Sequence, residues 1–199
     1  MPKLRIDANL SILMHPNAKG ESHKKGVVLH ETVSPQYPGM RDILGVANYL
    51  AHSDLDYAIH GITDDEGHIA WTLNCGEDVY WHCAGGNTNT NYLGIEQISR
   101  VMLDYKTRVA QIQAWSHMKK ELNATAKLIA CAARAWGFPI VDNRGDTSKP
   151  GITTHYEVSK FYAVQGGHTD GWPVKAGGYY PKGQIITLAN RYYKLGWHF

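Results

Sequence analysis

From Gly26 the chain runs through three apolar residues into His30 and then alternates, so residues 26–33 are expected as a buried strand carrying an imidazole near its far end. Ile43, Leu44, Ala47, Leu50 and Ala51 recur at helical spacing and predict a helix over 40–52. Residues 57–63 and 68–73 read as two strands joined into a hairpin by Asp64-Asp65-Glu66-Gly67, where Gly67 can take a positive φ. Residues 92–98 form an apolar strand interrupted by Glu96, an acid that is costly to bury unless it is paired or functional. Ile112, Trp115, Met118, Leu122, Ala126, Ile129, Ala133 and Trp136 fall three and four apart and predict one long amphipathic helix over 109–136. Lys119, Lys120 and Glu121 lie off that stripe, and Gly137 and Pro139 end the helix. Residues 151–155 repeat the first pattern, a short apolar-to-Thr segment ending in His155, and 181–194 reads as a closing helix. Residues 1–25 hold one apolar patch, Leu10 to Met14, and are expected as an irregular arm packed on a domain spanning 26–199. The fold class is α/β, with a single mixed central sheet flanked by helices.

Composition changes this picture in three places. A net charge of +2 over 199 residues gives no basic stripe, so nucleic acid is not expected as a partner. The one dense basic run, Ser22 to Lys25, reads as a solvated loop. Three cysteines without CxxC spacing give neither a disulfide framework nor a cysteine zinc site, and Cys131 reads as core. No apolar run is long enough for membrane insertion, and the N-terminus lacks a secretory pattern, so the chain is expected to be made in soluble form in the cytoplasm, and as a monomer. Eleven His and six Trp are many for this length; they supply metal ligands, acid–base groups and stacking surfaces.

A catalytic zinc takes three protein ligands and keeps one position open. His30-Glu31 begins an HExxH pattern, but Ser34 stands where the second His should be, which excludes a zincin helix. The glycine-rich loop over 75–92 has neither GxxxxGK[ST] nor GxGxxG and is not a phosphate cradle. A scattered set remains: His30, His155, and His168 or Asp170.

Five segments in order, VVLHET, YAIHGITDDEGHIAWTL, WHCAGGNTNTNYLGIEQ, THYEVSK and GGHTDGWP, resemble the type 2 family of N-acetylmuramoyl-L-alanine amidases, whose fold is shared with peptidoglycan recognition proteins. The resemblance covers residues 26–182. It implies zinc as cofactor, bacterial peptidoglycan as partner, and His30, His155 and Asp170 as metal ligands. It places the catalytic acid of the Gly-Ile-Glu strand on Glu96, and puts His168 where the family often keeps a lysine. The family's Pro-Gly after the third ligand is Gly171-Trp172 here, and His155 to Asp170 is a longer step than usual, which leaves His168 as the competing ligand.

The implied reaction is hydrolysis of the amide between N-acetylmuramic acid and L-alanine, with Glu96 as general base and His168 donating to the oxyanion. An endolysin that lyses the wall after release from its host is the expected setting. Tyr57, His60, Trp81, His82 and Trp172 are candidate substrate contacts. Against them stand plainer readings: His60 as a structural residue and His82 as a solvated loop residue; Trp71, Trp81, Trp172, Tyr179 and Tyr180 are candidates for a groove wall, some of which must be core. The rivals are a cytosolic muropeptide-recycling amidase, a peptidoglycan-binding module without catalysis, and a zinc peptidase on another scaffold.

Overall fold

The computed structural model describes residues 1–12, 18–19, 23–32, 43–52, 58–72, 78–83, 87–99, 101–164 and 178–199. In chain order its strands are β1 (Ala8–Asn9), β2 (Ala18–Lys19), β3 (Gly26–Glu31), β4 (Gly61–Thr63), β5 (Ile69–Trp71), β6 (Asp78–Val79), β7 (Tyr92–Gln97) and β8 (Gly151–Thr154). Its helices are α1 (Ile43–His52), α2 (Thr88–Asn91), α3 (Val101–Asp104), α4 (Arg108–His117), α5 (Lys119–Trp136), α6 (His155–Phe161) and α7 (Lys182–Lys194). Among the described residues the main sheet runs β1-β5-β4-β7-β3-β8, and β2 pairs with β6 in a second, small sheet. β3 lies parallel to both β7 and β8, β4 parallel to β7, and β4–β5 is the antiparallel hairpin that residues 57–73 predict.

The sheet has two different faces because side chains alternate along each strand. Val27, Leu29, Leu93, Ile95 and Ile152 point to one face and pack with Leu122, Ile129 and Ala133 of α5 and Ile185 and Ala189 of α7. Val28 and Tyr92 point to the other, where they meet Val158 of α6. On that second face Ile62 of β4 meets Ile43, Val46 and Ala47 of α1. His30 and Glu96, paired across β3 and β7, therefore share the second face with Val28. The arm contributes β1, which extends the sheet parallel to β5, and Leu4 and Leu10 are buried.

The helix expected over 109–136 is two helices. The break is Met118 (φ −87, ψ 37), whose amide donates to the Trp115 carbonyl. Thr107 caps α4 by accepting from the Ala110 amide, and Gly137 closes α5 in the left-handed region at φ 72. The break also corrects the expected stripe: Ile112 is exposed, and Glu121 is fully buried although the spacing put it on the outer side. Lys24 departs from expectation too. It is buried, and its Nζ donates to the carbonyls of Asp78 and Thr90, both at 3.1 Å, tying β6 and α2 to the start of β3. No helix among the described residues is long and apolar enough to cross a membrane.

Candidate active site

Parallel pairing puts the ends of β3, β7 and β8 at one edge of the sheet. His30 stands beside Glu96 in the β3–β7 register. β8 pairs with β3 up to Leu29↔Thr154, and His155 follows at once as the first residue of α6. The rings of His30 and His155 are 4.8 Å apart between centroids at an interplanar angle of 64°, and both residues are buried.

The turn that carries His155 is held by a capping box. Thr154 Oγ1 accepts from the Glu157 amide (3.3 Å), and Glu157 Oε2 accepts from the Thr154 amide (3.1 Å). Thr153 Oγ1 donates to the same Oε2 (3.0 Å). The other oxygen of Glu157 is paired with Lys182 of α7, which also reaches Asp142 Oδ1 at 2.6 Å. The THYE segment is thus a helix start whose cap is anchored to the closing helix.

Glu96 is partly exposed, and its Oε1 accepts a 2.7 Å hydrogen bond from Thr32 Oγ1. Sequence reasoning did not single out Thr32. It lies two residues past His30, on the same face by strand alternation, and that spacing is the signal that could have found it.

His82 is not the solvated loop residue that its setting suggested; it is 7% exposed. Its Nδ1 lies 3.2 Å from His30 Nε2, and its Nε2 donates to the Tyr92 carbonyl at 3.2 Å. Burial, followed by the charge of His30, pushes its pKa well below the usual imidazole value. His60 is fully buried, and its Nδ1 accepts the Gly94 amide at 3.0 Å. Burial and then the Lys24 charge hold its pKa well below the usual value. This is a framework role, out of reach of a substrate. Trp81, next to His82 in the chain, is 49% exposed. Trp71 and Tyr180 are core, with Trp71 stacked on Phe199. Tyr57, His168, Asp170 and Trp172 lie outside the described residues.

The fit to zinc can be tested on the two described ligand candidates. Two imidazoles on one tetrahedral zinc, with Zn–N near 2.0–2.1 Å, bring ring centres to about 5 Å. The observed 4.8 Å matches that spacing. Among the described residues no third His, Cys, Asp or Glu completes a metal site, and both candidates for that place are in the 165–177 segment outside them.

The family model for N-acetylmuramoyl-L-alanine amidase matches residues 21–173. The chain belongs to that family. Solved structures show the amidase fold as well. The Staphylococcus aureus hydrolase AmiA, solved with its ligand, is similar over 98% of this chain and 87% of its own, at 20% identity and a TM-score of 0.64. The amidase LysC of Clostridium intestinale aligns over 94% of this chain and 95% of its own, at 13% identity and a TM-score of 0.53. A mutant endolysin from Bacillus subtilis aligns over 82% of this chain and 84% of its own, at 18% identity and a TM-score of 0.50. A comparison with curated proteins found no match. The amidase match spans His30, Glu96, His155, His168 and Asp170, so every residue of the expected site falls within the family's own segment.

Proposed function

We propose that this chain is a zinc-dependent amidase that hydrolyses the bond between the lactyl group of N-acetylmuramic acid and L-alanine in peptidoglycan. The observation that carries the reading is the meeting of His30, His155 and Glu96 at one sheet edge, in a chain of the amidase family. His30, His155 and Asp170 would hold the zinc. When bound, the metal supplies Lewis acidity toward the scissile carbonyl and lowers the pKa of a bound water. Glu96 takes the proton of the attacking water and returns it to the leaving amine of L-alanine. Thr32 Oγ1 donates to Oε1 of Glu96 and so helps to orient the carboxylate. His168 donates to the oxyanion. Trp81, exposed beside His82, is the proposed aromatic contact for substrate.

Intact wall is the proposed substrate, as for a lytic enzyme. The test is digestion of purified wall and, in parallel, of soluble anhydro-muropeptides, with and without chelator, read by mass spectrometry. Free L-alanine amino termini released faster from the wall, and abolished by chelator, are expected. Glycan cleavage or indifference to chelator would overturn the chemistry. Preference for the soluble muropeptide would make this a recycling enzyme. Zinc content then assigns the third ligand: Asp170→Ala is expected to lose the metal and His168→Ala to keep it while losing turnover.

A further inference from the structure

We propose that His82 is a positioning residue of the metal centre: a relay of two hydrogen bonds, starting at the Tyr92 carbonyl, fixes the tautomer of His30 and leaves His30 Nδ1 as the metal-binding nitrogen. This rests on the zinc reading of His30 under the proposed function.

The argument is a count of protons. A carbonyl oxygen only accepts, so the 3.2 Å contact to Tyr92 O requires the hydrogen of neutral His82 to sit on Nε2. Its Nδ1 is then bare and can only accept. His30 Nε2, 3.2 Å away, must therefore donate, and neutral His30 has no second hydrogen to place on Nδ1. A metal ligand needs a bare ring nitrogen, and the other nitrogen of a ligating histidine commonly donates to a fixed acceptor. The opposite tautomer of His30 would set two lone pairs face to face in a buried place.

The same count explains why His82 is not itself a ligand, although its ring lies 5.3 Å from that of His30. Both of its nitrogens are spent in the relay. The ring is also clamped from several directions. Asn89 Oδ1 accepts from the amides of His82 (3.0 Å) and Cys83 (2.9 Å). On β7 a side chain at Gly94 would put its Cβ 2.7 Å from the His82 Cγ and 2.9 Å from its Nδ1, so a glycine there is what lets the ring lie against the strand. The His60 ring closes a further side at 5.6 Å.

The test has two readouts. Histidine 15N NMR of the chelator-stripped full chain near pH 8 reads the tautomer without metal: His30 is expected with Nε2 protonated and Nδ1 bare. Zinc affinity, measured by competition with a chromophoric chelator, is expected to fall about 10- to 100-fold in His82→Phe. His82→Asn, whose Oδ1 can take the acceptor place of Nδ1, is expected to recover most of that loss, which a purely structural role for the ring would not give. A wild-type His30 protonated on Nδ1, or a folded His82→Phe protein that binds zinc as tightly as wild type, overturns the relay. If His82→Phe does not fold, the wild-type tautomer decides alone. Failure of the zinc reading shows differently, as a wild-type chain that takes up no zinc whatever its tautomer.

Discussion

Glu96 and Glu121 are both acids on apolar elements, and the fold treats them in opposite ways. Glu96 is partly exposed and hydrogen-bonded by Thr32. Glu96→Gln is expected to lower kcat by about 10²- to 10⁴-fold with zinc content unchanged. Thr32→Val, which leaves the base in place but loosens it, is expected to cost roughly tenfold, about 1.4 kcal/mol. Glu121 is fully buried, and neither of its oxygens meets a hydrogen-bond partner among the described residues. The nearby Ile98 amide, which would favour its charge, already donates to the Thr63 carbonyl at 2.9 Å. Burial first, and then the charge of Glu31, push its pKa well above the usual carboxylate value. The folded chain therefore holds this proton at pH values where the unfolded chain has released it. The stability that comes with it is present below the unfolded value and is lost as pH rises toward the folded one. Glu121→Gln should flatten that decline, so urea denaturation between pH 5 and 8 should show its advantage over wild type growing with pH. The roles expected of His30, Glu96 and His155 come from the family resemblance; their placement at the end of, or within, an apolar segment was legible in the sequence. His82 was not, because a loop position says nothing about burial; only the packing against Gly94 and the Tyr92 carbonyl reveals it.

The break at Met118 shows the limit of periodicity at the scale of elements. Trp115, Met118 and Leu122 keep helical spacing across it, so the pattern reads as one helix, but a single residue with ψ 37 re-aims α5 relative to α4. Residues 121, 122, 124–126 and 128–133 of α5 are then buried, and Glu121 is carried in with them. The capping box of α6 was hidden for a different reason. THYE has the spacing of a cap, but the same four residues also fit a strand that ends on a histidine. Thr154→Ala removes the acceptor of the Glu157 amide and is expected to cost about 1 kcal/mol by urea denaturation. Zinc affinity should fall with it, because the same turn aims His155.

Fold class, the hairpin and the closing helix are legible in the pattern of the whole chain, whereas the strand order is not. Apolar runs at 26–31, 92–97 and 151–154 are each consistent with a buried parallel strand, but nothing local says that the first sits between the other two. A metal held, as proposed, between β3 and α6 would bind the folded chain alone. At about 100 times its Kd it adds roughly 2.7 kcal/mol to stability, several degrees in melting temperature for a domain of this size. Differential scanning calorimetry with and without chelator should show that drop, and Asp170→Ala should show little.

The seat of β3 between β7 and β8 also bears on the order of synthesis. His30 leaves the ribosome well before its partner ring, which comes after a strand that aligns Gly151 with Gly26. The site is closed by long-range contacts, the slowest kind to form. A nascent chain that has not yet delivered residue 155 lacks one of the two imidazoles of the proposed site, and on that reading it stays inactive until the later strand and helix have been made.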